Sequence, residues 1–281
     1  MSILILKGKY IELLFLFSIF FVGILSDFKI LNDPKKRFIL QGIVIFVFAT
    51  FLEIKISSTR LDVFDLYLQN NILNCVFVVF CLMILINGSN FVDGLNTLLI
   101  TYKIFILLTL IIFFDGNFIF NHNNYDLLFI LLLILILNSF GIIILGDSGA
   151  YLISTIFGLS LIDFSNQNNF ISPFFIILLL WYPCFELLYS IIRRLSSNKK
   201  TYNADVKHFH QLLYLRILKK SKFNFKINHF ITSLIINLYN FFIFCLGVNF
   251  IYQTKILIII IVLNMVLYLI FYNFLNNKIK R

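Results

Sequence analysis

Apolar runs about as long as a bilayer is thick recur from one end of this chain to the other, near 10–25, 37–54, 70–87, 95–114, 126–140, 149–164, 171–190, 229–249 and 256–274. Hydrocarbon offers a backbone no water to bond, so each run must satisfy its own N–H and C=O groups. The runs are continuously apolar and do not alternate, which selects helices over barrel strands. The expected fold is all-α: a polytopic transmembrane bundle of about nine helices forming a single integral membrane domain over 1–281. Its polar loops fall near 26–37, 87–96, 141–149 and 191–228. Composition agrees, since 60% of the 281 residues are hydrophobic, 13% are charged and the mean hydropathy is +0.97.

The net charge of +10 raises the question of a nucleic-acid partner, and residues 191–226 hold ten Lys/Arg against one acid, Asp205. Placement answers it. With the first helix running outward to inward, the cytoplasmic segments carry seventeen Lys/Arg and the external loops only Lys55, Arg60 and Lys255. That is the positive-inside bias, so the charge orients the chain in its bilayer and calls for no nucleic acid. The four cysteines lie in or beside apolar runs without paired spacing and read as small buried hydrophobes. No small-residue cleavage site follows the first run, which is expected to remain as a helix.

Acidic residues number only 13, and a carboxylate beside a membrane helix calls for a reason. Four polar segments share the cytoplasmic side of the predicted topology: Asp27 after the first helix; Asn87, Asn90, Asp93 and Asn96 in NGSNFVDGLN; Asp147 in LGDSGAY; His208 and His210 in DVKHFHQLLY. Each alone also reads as a cap or a turn. Together, carboxylates, amides, imidazoles and cations at a membrane surface suit Mg²⁺ and a phosphorylated substrate. The chain has no Walker-type loop and no dinucleotide fingerprint.

The order of these segments resembles the polyprenyl-phosphate N-acetylhexosamine-1-phosphate transferases, relatives of phospho-N-acetylmuramoyl-pentapeptide transferase. The likeness covers roughly 20–215. GILSDFKILNDPKKRFILQ resembles the segment of paired aspartates, NGSNFVDGLNTL the N-x-x-N-x-x-D-G segment, LGDSGAYL the G-D-x-G segment, and YPCFELLYSIIRRL with ADVKHFHQLLY the helix and loop carrying H-x-H. The resemblance implies transfer of a sugar-1-phosphate from a UDP-N-acetylhexosamine to undecaprenyl phosphate, with release of UMP, in the inner membrane of a bacterium. It implies Asp147 as the Mg²⁺ ligand (Mn²⁺ as a substitute), Asp27 and Asp93 as catalytic carboxylates, and Asn87, Asn90, Asn96, His208 and His210 as substrate-binding residues.

Ser26 stands where the family has its first aspartate, Asn96 where it has a second acid, Thr97 where it has a glycine and Gln211 where many members have a histidine. The resemblance also leads one to expect about two further helices before residue 10, so a truncated or inactive relative is an alternative. A transporter is another, for which Lys103, about 15 Å along its helix from Asp93, is the sole midplane charge. Lys103 reads equally as a groove-lining cation or as a lysine whose stem reaches toward a helix end or an interhelical gap.

Overall fold

A computed structural model describes residues 2–114, 124–196 and 207–280, and all of its regular structure is helical. Eleven helices follow in order: α1 (Ser2–Asp27), α2 (Pro34–Phe51), α3 (Asp62–Leu68), α4 (Asn71–Val92), α5 (Leu98–Phe113), α6 (Asn124–Ser139), α7 (Gly146–Gln167), α8 (Pro173–Ser196), α9 (Phe209–Leu218), α10 (Phe225–Val248) and α11 (Thr254–Lys280). Every predicted apolar run is one of them. The unpredicted α3 and α9, of 7 and 10 residues, are too short to make an apolar run of their own.

Among the described residues six helices, α1, α4, α7, α8, α10 and α11, are long and apolar enough to cross a membrane. At 16 residues each, α5 and α6 extend about 24 Å, short of a typical hydrocarbon core of about 30 Å. The first turn of α2 holds Lys35, Lys36 and Arg37. Leu13 and Phe17 on α1 and Ile259, Val262 and Phe274 on α11 are exposed, as residues facing lipid acyl chains would be. The chain is a multi-pass membrane protein. Lys199, Lys200 and Asp205, within the predicted loop 191–228, lie outside the described residues, as does Asp115.

The chain divides into two compact units. The first comprises Met1–Asn90 and Leu145–Asn169. In it α1 packs along α7 and α2. Gly23 makes this possible, because a Cβ there would run into the backbone of Ser148. Phe15, Ile19, Ile45, Val78, Leu82 and Tyr151 form the core beneath. The loop after α2 is tied to Asn74, whose amide bonds both backbone groups of Ile56, and to Asp65, which accepts from Ser58, Thr59 and Arg60. Asp65 therefore serves the loop.

The second unit comprises Phe91–Ile144 and Phe170–Arg281. Its α10 packs against α5, α9 and α8, and α11 packs against α8 and α9. Pro183, inside α8, has no N–H to give the carbonyl of Leu179 one turn earlier. The Tyr102 hydroxyl of α5 donates to that oxygen at 2.8 Å, so the gap in the α8 ladder becomes a tie between helices. Asn237 of α10 likewise donates to Leu98 O, 3.0 Å away at the start of α5.

Candidate active site

In the first unit, α7 begins at Gly146 with no side-chain cap of its own. Asp27, at the C-terminus of α1, supplies one from the other end of the unit's sequence. Its two carboxylate oxygens accept from the backbone N–H groups of Asp147 (2.8 Å) and Ser148 (3.1 Å). A carboxylate on orphan N–H groups at the positive end of a helix is a favourable pairing. Gly146 has φ +63, and a Cβ on it would meet this carboxylate, so glycine is required there twice over.

With α7 held this way, Asp147 reaches Ser26 and Arg37. Ser26 Oγ donates to Asp147 Oδ2 at 2.5 Å, Arg37 Nη1 donates to the same oxygen at 2.5 Å, and Arg37 also reaches Ser26 Oγ at 2.6 Å. The Tyr151 hydroxyl adds a longer contact of 3.4 Å to Oδ2. Oδ1 accepts no hydrogen bond from the described residues. The structure thus brings together the SDFK and GDSG segments, and it shows what Ser26 does in an aspartate's place. A second acid would repel Asp147, whereas the serine hydroxyl bonds it.

Asn87 and Asn90 lie on the last turns of α4. The Asn87 amide donates to Gln41 Oε1 of α2 (3.1 Å) and to Met83 O (2.9 Å). Gln41 is fully buried and was not singled out by the sequence reading.

In the second unit, Asp93 follows the end of α4, and the D-G-L-N turn meets the H-x-H segment. Gly94 lies against the His210 ring, and a Cβ on it would stand 2.8 Å from Nε2. Asn96 N donates to Nδ1 of His229, a histidine on α10 that the motifs did not flag, and Asn96 Nδ2 lies 3.4 Å from Asn138 O. Thr97 sits at φ +70, a left-handed conformation that a β-branched residue rarely takes. Its N–H donates to Asn138 Oδ1 at 2.5 Å, and its own hydroxyl is buried without a partner among the described residues. The glycine expected at this position is explained by that φ.

His208 and His210 are both buried, with their rings stacked 5.6 Å apart and nearly parallel. His208 Nδ1 lies 2.9 Å from Oε1 of Glu186, a buried α8 acid that also accepts from Phe209 N at 3.3 Å. The other Glu186 oxygen accepts from Tyr268 of α11 at 2.8 Å. Gln211 Oε1 accepts from the backbone N–H of His208, so the residue at a frequent histidine position here caps α9. Both nitrogens of His210 are buried without a hydrogen-bond partner among the described residues. Burial pushes its pKa down to about 4, with Glu186 pulling upward and His208 adding to the fall. His210 is therefore neutral near pH 7. Phe91 packs on His208 at 5.0 Å, with the Arg194 guanidinium 5.6 Å from the same phenyl ring. Sequence reasoning missed Glu186, although an acid inside a membrane helix was signal enough. Lys103, on α5, is fully buried.

The donor set can be weighed against Mg²⁺. Among the described residues no group of three or more His, Cys, Asp or Glu side chains could hold a metal. Asp147 offers Oδ1, and its other oxygen is neutralised by Arg37. One protein carboxylate oxygen fits an ion that keeps several waters and shares substrate phosphate oxygens, and does not fit an all-protein cage.

The described helices define a multi-pass helical membrane protein. The chain belongs to glycosyl transferase family 4, whose model matches residues 10–165. It is accordingly a transferase, of a family of polyprenyl-phosphate sugar-phosphate transferases, with a sugar-phosphate donor and a lipid acceptor in the membrane. A comparison with curated proteins returns no match.

Proposed function

We propose that the protein transfers N-acetylhexosamine-1-phosphate from a UDP-sugar to undecaprenyl phosphate on the cytoplasmic side of a bacterial inner membrane, starting a cell-envelope polysaccharide. An acceptor phosphate oxygen bonds to the β-phosphorus of the donor; the bond from that phosphorus to the bridging oxygen breaks, and UMP leaves with the electron pair. The carrying observation is the Asp147 carboxylate, fixed at the start of α7 with one oxygen on Ser26 and Arg37. Asp147 would hold Mg²⁺ through Oδ1. The bound ion supplies neutralisation of the diphosphate charge.

Arg37 adds a permanent cation beside the same carboxylate. Asp27 acts through α7, as a positioning residue that fixes where Asp147 points. Asn87, Asn90 and Asn96 recognise the nucleotide sugar by hydrogen bonds, His208 and His210 contribute imidazoles to the same task, and Asp93 orients the reacting groups. The loop charge bias supports the cytoplasmic placement.

The test is incubation of purified membranes with radiolabelled UDP-N-acetylglucosamine and undecaprenyl phosphate, which should yield a labelled lipid and UMP in equal amounts. Asp147→Asn keeps the Ser26 and Arg37 bonds and removes the charge, so turnover should fall by several orders of magnitude with expression unchanged. A variant retaining more than about a tenth of wild-type activity, roughly 1.4 kcal/mol of barrier, would overturn the metal-ligand role.

A further inference from the structure

We propose that Glu186 and Tyr268 are positioning residues that fix the tautomer of His208, placing its proton on Nδ1 and leaving Nε2 as the nitrogen presented to substrate. The inference rests on the reading of His208 as a substrate-binding residue and adds which of its two nitrogens does the binding. Three groups face the Glu186 carboxylate: His208 Nδ1 at 2.9 Å, and two donors, Phe209 N at 3.3 Å and the Tyr268 hydroxyl at 2.8 Å. The Phe209 amide can only donate, and it shares Oε1 with His208. Donors on both carboxylate oxygens favour the ionised form of Glu186, which can only accept, so the hydrogen in the His208 bond belongs to Nδ1.

Two further contacts keep the ring from turning. Tyr272 of α11 donates to Lys207 O at 3.0 Å, which holds the chain just before His208. The His210 ring lies flat against it on one side. Tyr268 itself packs on Phe185, Tyr189 and Phe209, so its hydroxyl is aimed by an aromatic wall. Such an acid–histidine pairing is the general way in which one ring nitrogen is committed so that the other can bind. The last helix, far in sequence from every motif, thereby acts on the H-x-H segment.

Histidine labelled with ¹³C and ¹⁵N, in the full chain reconstituted in nanodiscs and read by NMR in alkaline buffer, tests this without substrate. The His208 signals, assigned by their loss in His208→Gln, should report the Nδ1–H form. Glu186→Gln retains an oxygen that accepts the same hydrogen and should keep that form. Glu186→Leu should release the ring to the Nε2–H form and raise KM for the UDP-sugar about tenfold, the worth of one hydrogen bond to a charged group. Should Glu186→Leu fail to fold, the wild-type tautomer decides alone. A wild-type Nε2–H form, or a Glu186→Leu variant that stays Nδ1–H, overturns the inference. A chain that shows the Nδ1–H form but transfers no sugar phosphate sinks the proposed function instead.

Discussion

Replacing Tyr102 by Phe removes one oxygen from the middle of the protein and tests whether the α5–α8 tie is what compensates Pro183. The Leu179 carbonyl receives no N–H from position 183, and in lipid it has no water to turn to. Interhelical hydrogen bonds in membranes contribute about 0.6 kcal/mol on average, and up to about 1.7. This bond belongs near the upper end, at roughly 1.5 kcal/mol, because its acceptor has no helical donor. In a Pro183→Ala background the substituted residue supplies the missing N–H, and the same Tyr102→Phe change should cost only about 0.5 kcal/mol. Unfolding of the four proteins of this cycle in mixed micelles of increasing SDS content measures the coupling, expected near ~1 kcal/mol. Equal costs in the two backgrounds, within about 0.3–0.5 kcal/mol, would refute the reasoning.

Thr97→Gly should stabilise the protein by about 1 kcal/mol in the same titration, since it relieves a left-handed β-branched residue and an unpartnered hydroxyl at the expense of some packing. Asp27→Ala strips the N–H groups of Asp147 and Ser148 of their acceptor and should cost roughly 1–2 kcal/mol, with transferase activity falling further than stability does. His210 has a folded pKa of about 4 against an ordinary 6.5, so its contribution is present above 6.5 and is lost as pH falls toward 4, by roughly 3 kcal/mol in all. His210→Phe should flatten that part of the stability–pH curve, and an unchanged slope would contradict the burial of a neutral ring.

The helices were legible because lipid imposes a length and an apolarity that show in any window of sequence. All nine runs are helices, while α3 and α9 escaped notice because neither is long enough to leave such a trace. The site was legible as four motifs but not as contacts. The pairing of Asp27 with the start of α7, and of Gly94 with His210, joins residues more than a hundred positions apart, and no local pattern encodes that. Tyr268 and His229 were missed for a related reason. They sit inside apolar helices where a single polar residue looks incidental until its partner from another helix is known, whereas Glu186, also missed, is an acid whose place in α8 was signal enough. Arg37 was read only as one more cytoplasmic charge, although it pairs with Asp147.

The first unit is discontinuous in sequence, and this fixes an order of events during synthesis. After α1, α2 and most of α4 have left the ribosome, Gly23 still lacks the helix it was kept small to receive. The chain from Phe91 to Ile144, which belongs to the other unit, must be made next, and that occupies about 3–10 s at ordinary elongation rates. Throughout that interval Asp27 has no N–H groups to bond, and the apolar groove that α7 will fill can be covered only by lipid or by a chaperone in the membrane. A nascent chain stalled before Leu145 is thus the form of this protein on which such a chaperone, or a membrane protease, has a hold.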